Sequence, residues 1–409
     1  MNRFLTTDKT CIFFVFIISF VIRIPFLFFS NSHPDIFTFS EWSLSLIRHK
    51  WSYFYDIENS DYLPGYLYAL WFIGKLYYFI NTKLFYIDLE FVYKLPSFFT
   101  DIANSVLIYL ISSKLVDRAK AFMVSAFYAF YPGFLMNSVI WGQVDSIVAF
   151  FLISAIYLFL CKKYLLSGIF LGLGQSIKPV IILILPFFAY YLLRRYGFNK
   201  VFVFLLTFAL MFLLTFVPFA KGNFIDFVIE RNLYTANFWQ YTTLNMFNFW
   251  LVITNVFHGG FNYVSDKEQI WGMTYHNIGL LLFIFVYSFA FIRYILLFKN
   301  NIGIFDAHRM LIFYGSIIFL ALPMFMTRMH ERHPYYGFVL LLLATPFIKG
   351  LKRFSVYILF LIYFVNLIYS YKFASYANNS WVNMMVFALS ILNIINYFLV
   401  FKFLIRFNK

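Results

Sequence analysis

"LPGYLYALWFIGKLYYFI", residues 63–80, carries enough apolar side chains to cross a membrane, yet opens on a turn signal and holds a lysine near its middle. If it spans, every later loop changes sides. Loop charge separates the two readings, because Lys and Arg gather in short cytoplasmic loops.

The rest of the chain supplies that charge pattern. It has 409 residues, 63% hydrophobic, 25% aromatic and 12% charged, and its mean hydropathy is +0.78. That is too apolar for a soluble domain, and its repeated runs of about 20 apolar residues match the hydrocarbon thickness of a bilayer. Such runs lie near 11–30, 93–113, 119–138, 144–161, 165–176, 179–193, 200–220, 276–298, 308–326, 335–348, 353–373 and 381–405. With 63–80 read as re-entrant or interfacial and the N-terminus inside, 19 of the 32 Lys and Arg fall on the cytoplasmic side and 12 outside, with Arg23 within the first helix. The inside residues crowd short loops: "KLVDRAK", "CKK", "RRYGFNK", "KGLKRF" and the tail "FKFLIRFNK".

The expectation is therefore an all-α polytopic membrane protein of about 12 helices, with a range of 11–13, forming one domain over residues 1–409. Residues 31–92 make a first long external loop with amphipathic helices, and 221–275 make a second. The basic start and long apolar run at the N-terminus lack a small-residue cleavage site and read as a retained helix. A net charge of +15 reads as cytoplasmic-loop charge rather than a nucleic-acid footprint. Cys11 and Cys161 have no neighbours at metal-ligand spacing. "GIFLGLG", 168–174, reads as small-residue helix packing rather than a phosphate loop.

Polar residues that a membrane tolerates poorly fall together on the external side of this topology. Asp35 follows the first helix closely, with Glu41 and Trp42 after it; a helix over 35–49 puts Asp35 and Trp42 on one face. Asp35 is a candidate general base, with a helix N-terminal acid complementing the dipole as the alternative. Asp61 and Tyr62 open a turn-and-aromatic segment that suits the interface. Gln143 and Asp145 lie between two spans, and Asp101 lies within the second helix, where carboxylates are rare and mark polar cavities. Gln175 and Lys178 stand between two short apolar segments, with Pro179 expected to begin the next helix. There Lys178 is placed to hold a phosphate.

The cluster "TRMHERH", 327–333, adds Arg328, His330, Glu331, Arg332 and His333. It is not an HExxH zinc motif. Acids and bases converging on one membrane face are what chemistry on a lipid-linked, phosphorylated substrate requires.

Five of these motifs, in this order, resemble the GT-C polytopic glycosyltransferases: the first-loop acid, "DYLPGY" (61–66), "WGQVDS" (141–146), "QSIKP" (175–179) and "TRMHERH". The likeness runs from about residue 10 to residue 350. Among that superfamily it is nearest to prokaryotic mannosyltransferase-like proteins related to the second mannosyltransferase of GPI-anchor synthesis, and similar in layout to the glucosyltransferases of asparagine-linked glycosylation. The resemblance implies an inverting transfer of mannose or glucose from a polyprenyl-phosphate donor to a glycan or glycolipid acceptor. It places the active site outside a prokaryotic plasma membrane, or in the lumen if the membrane is endoplasmic reticulum. It matches Asp35 to the acid that deprotonates the acceptor, and makes Lys178, Arg332 and His330 partners of the donor phosphate. Some members use a divalent metal held by first-loop acids, here Asp35 with Glu41 or Asp145; others do not. The sequence departs from the pattern at "HERHPYYG", which makes His333 the weakest of the cluster. Competing readings are a lipid-linked sugar flippase, which often shows two related halves, and a glycan polymerase or ligase.

Overall fold

The computed structural model describes residues 7–29, 33–259, 263–299, 303–373 and 380–402. The basic tail residues Arg406 and Lys409, residue 30 of the first expected helix and residues 403–405 of the last lie outside the described residues. The chain divides into two compact units, one of residues 1–185 with 192–238 and the other of 186–191 with 239–409.

In the first unit α1 (Asp8–Leu27) is capped by the Thr7 hydroxyl, which accepts from the Thr10 N–H. It leads to α2 (Pro34–Arg48), a short α3 (Phe54–Ile57), α4 (Pro64–Lys83) and α5 (Leu89–Ser113). Proline in the first turn starts α2 and α4, where its missing N–H costs nothing. Asp88 and Asp117 cap α5 and α6 (Arg118–Phe130) with their carboxylates.

The run expected as one helix over 119–138 is broken. Pro132 cannot donate to the preceding turn, so the chain bends by 47° between α6 and the segment Pro132–Ile140. That segment comprises α7 (Pro132–Leu135) and a π turn. Then come α8 (Asp145–Leu160), α9 (Tyr164–Gln175), α10 (Leu185–Tyr196, of which 186–191 belong to the second unit), α11 (Phe198–Leu214) and α12 (Phe224–Asn237).

The "GIFLGLG" glycines do pack helices. A Cβ on Gly168 would meet the Phe204 carbonyl at 2.5 Å, and one on Gly172 the Phe208 carbonyl at 2.5 Å, so α9 lies directly on α11. Apolar clusters hold the unit: Leu27, Phe98, Ile102, Leu135 and Val139 join α1, α5 and the Pro132 segment. Cys11, Val15, Tyr109 and Ala121 join α1, α5 and α6.

The second unit contains α13 (Phe249–His258), a two-stranded hairpin β1 (Gln269–Ile270) with β2 (Met273–Thr274), and α14 (Tyr275–Lys299). It continues with α15 (Ile304–Phe325), α16 (Tyr335–Ala344), α17 (Leu351–Ile368) and α18 (Ser380–Phe401). Phe247, Leu251, Ile362, Tyr369 and Val386 form its cluster around α13, α17 and α18.

Each of the twelve apolar runs contains helix in the described residues, though the 119–138 run is broken at Pro132 and the 179–193 run becomes α-helical only at Leu185. Among the described residues seven helices are long and apolar enough to cross a bilayer, or eight if the bent pair is one span. The others are short: α9, with 12 residues, reaches about 18 Å at 1.5 Å per residue, against a hydrocarbon core near 30 Å. The chain is an integral membrane protein. The helix that opened the sequence question, α4, has 20 residues but is not among those apolar enough to span.

Candidate functional site

The start of α2 builds the first half of the site. His33 is the N-cap, and its Nδ1 accepts from the Asp35 backbone N–H at 3.2 Å and from Trp141 Nε1–H at 3.2 Å. The Asp35 carboxylate, 3.6 Å from that Nδ1 and with a third of the side chain (34%) exposed, accepts from Gln143 Nε2.

Gln143 is fixed by its own backbone. Its N–H donates to the Asn137 carbonyl at 3.0 Å, and its carbonyl accepts from Ser97 Oγ at 2.7 Å. The turn before it needs Gly142: φ is +79°, and a Cβ there would lie 2.7 Å from Ile36 Cδ1 on α2. "WGQVDS" is thus pressed against the helix that carries Asp35.

Asp145 and Lys178 form the second half. Lys178 Nζ donates to Asp145 Oδ1 at 2.7 Å, with the carboxylate fully buried and the lysine side chain 12% exposed. Asn137 Nδ2 donates to the other carboxylate oxygen at 3.4 Å. A continuous polar chain therefore runs Asp35, Gln143, Asn137, Asp145, Lys178. The ammonium also stands 5.9 Å from the centroid of the Tyr62 ring, within cation–π range.

The "DYLPGY" and "QSIKP" segments meet through a glycine. The Gly65 N–H donates to the Ser176 carbonyl at 2.7 Å. A Cβ on Gly65 would fall 2.3 Å from Ser176 Oγ and 2.7 Å from its carbonyl carbon, so only glycine permits the contact. Gln175 braces the same turn, its Oε1 accepting from the Ile182 N–H at 2.8 Å. Pro179 does not begin a helix: Lys178 sits in the turn, a 3-10 segment covers Ile181–Ile184 and α10 starts at Leu185. The expected support of Lys178 by a helix N-terminus is therefore missing.

Tyr62 stands with Phe39, Trp42 and Tyr66 in an aromatic wall, ring centroids 5.2–6.0 Å apart. Burial, then the neighbouring Tyr93 and Asp35, push the Tyr66 phenol well above its ordinary pKa. Beside this wall, Gly65, Tyr66, Ser176 and Ile177 help line a cavity of about 460 Å³ closed by Ile147, Phe151, Leu173, Met211 and Leu214 from α8, α9 and α11. Its walls are almost wholly apolar.

Other expected residues are placed elsewhere. Asp101 is fully buried against Arg23 Nε at 2.7 Å and also accepts from Ser138 Oγ at 2.6 Å and from Tyr128. Its carboxylate is committed within the α1–α5–α6 packing and is not in the chain from Asp35 to Lys178. Glu41 is exposed on α2, and Asp61 is half-buried and interacts with Arg231. Among the described residues no three His, Cys, Asp or Glu side chains are grouped to hold a metal; Glu41 is exposed on α2 and Asp145 is buried against Lys178.

In the second unit Arg328, at φ +68°, donates from Nε to the buried Asp266 carboxylate at 2.6 Å. Thr327 Oγ1 donates to the same oxygen at 3.1 Å, and His276 Nδ1 lies 3.5 Å from it. Arg332 pairs with its buried neighbour Glu331 at 3.3 Å. The His330 N–H donates to His333 Nδ1 at 3.2 Å, and Trp239 meets the His330 ring edge-on at 5.7 Å.

Sequence reasoning missed His33 and Asp266, which meet Trp141 and Arg328 across 108 and 62 residues, and Asn137, a lone polar residue in an apolar run although its partners Gln143 and Asp145 follow closely. It also missed Glu90 and Lys94, which had a signal at i,i+4 spacing. Their charges are 3.5 Å apart, and Lys94 Nζ donates to the Phe29 carbonyl at 2.6 Å.

The family described as glycosyltransferase family 87 matches residues 84–323, a stretch that includes the Asp145–Lys178 pair and ends before "TRMHERH". A dolichyl pyrophosphate Glc1Man9GlcNAc2 alpha-1,3-glucosyltransferase of Candida glabrata is 27% identical over 151 residues, 34% of this chain and 28% of that protein. The chain thus matches little more than a quarter of the length of this curated relative. The family match covers more than half of the chain, including Gln143, Asp145 and Lys178 but not Asp35, Tyr62 or Gly65: this membrane protein belongs to glycosyltransferase family 87.

Proposed function

We propose that the chain moves a hexose, mannose or glucose, from a polyprenyl-phosphate donor to a glycan or glycolipid acceptor on the extracytoplasmic face, with inversion at the anomeric carbon. Asp35 removes the proton from the acceptor hydroxyl, whose oxygen bonds to the anomeric carbon. The bond from that carbon to the phosphate oxygen breaks, and polyprenyl phosphate leaves with the electron pair. Lys178 meets the growing negative charge on the phosphate, the moment at which a fixed cation lowers the barrier most.

The observation that carries this reading is the polar chain linking a partly exposed carboxylate, Asp35, to the lysine of an ion pair, Lys178, through Gln143, Asn137 and Asp145. The apolar cavity sharing Ser176 and Ile177 with the lysine turn supports a donor with a hydrocarbon tail. From the sequence, Arg332 and His330 are the next cations to substitute. Purified protein in lipid nanodiscs, given a panel of synthetic polyprenyl-phosphate hexoses and candidate acceptors, should release polyprenyl phosphate from at least one. Release from none, with movement of intact lipid-linked sugar across vesicles, would replace the transferase by a flippase.

A further inference from the structure

A second polar site lies in the first unit, away from the Asp35–Lys178 chain. The 55–59 segment and α12 enclose a cavity of about 470 Å³ lined by Tyr55, Glu58, Asn59, Glu230, Arg231 and Tyr234, among others. The volume lies within the ~300–1,000 Å³ typical of small-ligand sites. Unlike the cavity beside Lys178, its walls are mainly polar.

Arg231 anchors it. The side chain is buried (8% exposed), with its guanidinium held between Tyr55 at 4.3 Å and Tyr234 at 4.1 Å. One terminal N–H donates to the Ser60 carbonyl at 2.8 Å; Nε, also buried, has no hydrogen-bond partner among the described residues. A buried, unpaired donor on a charged group costs free energy, so a ligand that accepts from it is favoured. Around it stand acceptors: the carboxylates of Glu58 and Glu230, and Asn59, whose Oδ1 already accepts from Tyr234. Tyr234 is 42% exposed, leaving ring surface for a ligand.

The chemistry selects a class of ligand. Two carboxylates beyond the Asp56–Lys221 pair outweigh the single arginine, so a phosphate or pyrophosphate is repelled. A ligand that meets an arginine donor, carboxylate acceptors and tyrosine rings together needs hydroxyls that both donate and accept, and C–H faces that lie on aromatic rings. A neutral sugar chain has both. The cavity is also joined to the candidate catalytic site: Tyr55 OH donates to the Tyr62 carbonyl at 2.9 Å, and the Tyr62 ring is the one beneath Lys178.

We propose that this cavity binds the sugar chain of the acceptor, leading its end toward Asp35; naming the ligand an acceptor rests on the transferase reading above. The test is saturation-transfer NMR on the full chain in nanodiscs, with maltotetraose, cellotetraose and an α-linked mannotetraose as probes. At least one should bind at millimolar concentration. Tyr234→Ala and Glu230→Gln, both at exposed positions, should each weaken it by roughly tenfold, the loss of one contact of this kind, without changing affinity for a polyprenyl-phosphate hexose. Binding by none of the three, or equal binding by both variants with an unchanged melting point, overturns the site. Saccharide binding without any donor consumption would keep the site and sink the transferase reading; donor consumption without saccharide binding would do the reverse.

Discussion

Lys178 and Asp145 form an ion pair at 2.7 Å whose carboxylate is sealed from solvent while the lysine is not. The asymmetry predicts unequal mutants. Lys178→Ala leaves a buried carboxylate without its counter-ion, a loss of about 3–5 kcal/mol, whereas Asp145→Asn leaves a lysine that can turn toward water. Thermal unfolding in nanodiscs should therefore show the larger drop for Lys178→Ala. Donor KM should rise in both, by about tenfold to a hundredfold where one charged hydrogen bond to phosphate is lost or misaligned. Equal melting points in both variants would refute the sealed geometry, and an unchanged donor KM would refute the phosphate role.

Asp101 and Arg23 are the contrasting pair, both fully buried. Asp101→Ala strands the guanidinium and should destabilise by about 3–5 kcal/mol. Arg23→Met with Asp101→Asn removes both charges while leaving Asn to accept from Tyr128 or Ser138, and should recover much of that loss. Turnover per folded molecule should stay near wild type in the double variant. A specific loss of turnover there would put Asp101 back in the substrate pocket.

Gly65 tests the seam between "DYLPGY" and "QSIKP". An added methyl group meets Ser176 backbone at 2.7 Å, an overpacking expected to cost about 1–3 kcal/mol. Because Ser176 is two residues from Lys178, Gly65→Ala should lower the melting point and raise donor KM together. Gly303→Ala, where a Cβ meets nothing within 4 Å, is the control and should do neither.

How much of this was legible in the sequence follows from the range of each signal. Apolar runs, Pro34 and Pro64 at helix starts, and Asp88 and Asp117 at caps are local, and the helices appear where they point. Pro132 is equally local, and reading through it as one helix overlooked a residue that cannot donate. Pairing is different. Lys178 finds Asp145 across 33 residues and Arg23 finds Asp101 across 78; periodicity carries no information about such partners. Asp101 therefore looked like a cavity residue when it is the counter-ion of Arg23. The ordered motifs marked Asp35, Gln143, Asp145 and Lys178 individually, while Asn137, which joins them, belongs to no motif.

The direct test of the central claim is Asp35→Asn, which keeps an oxygen to accept from Gln143 but cannot take a proton. Single-turnover transfer from the polyprenyl-phosphate hexose accepted by the wild-type protein should fall by about 10²–10⁴, the usual contribution of a general base, while equilibrium binding of that donor stays within error of wild type. Transfer at the wild-type rate in Asp35→Asn would contradict the account.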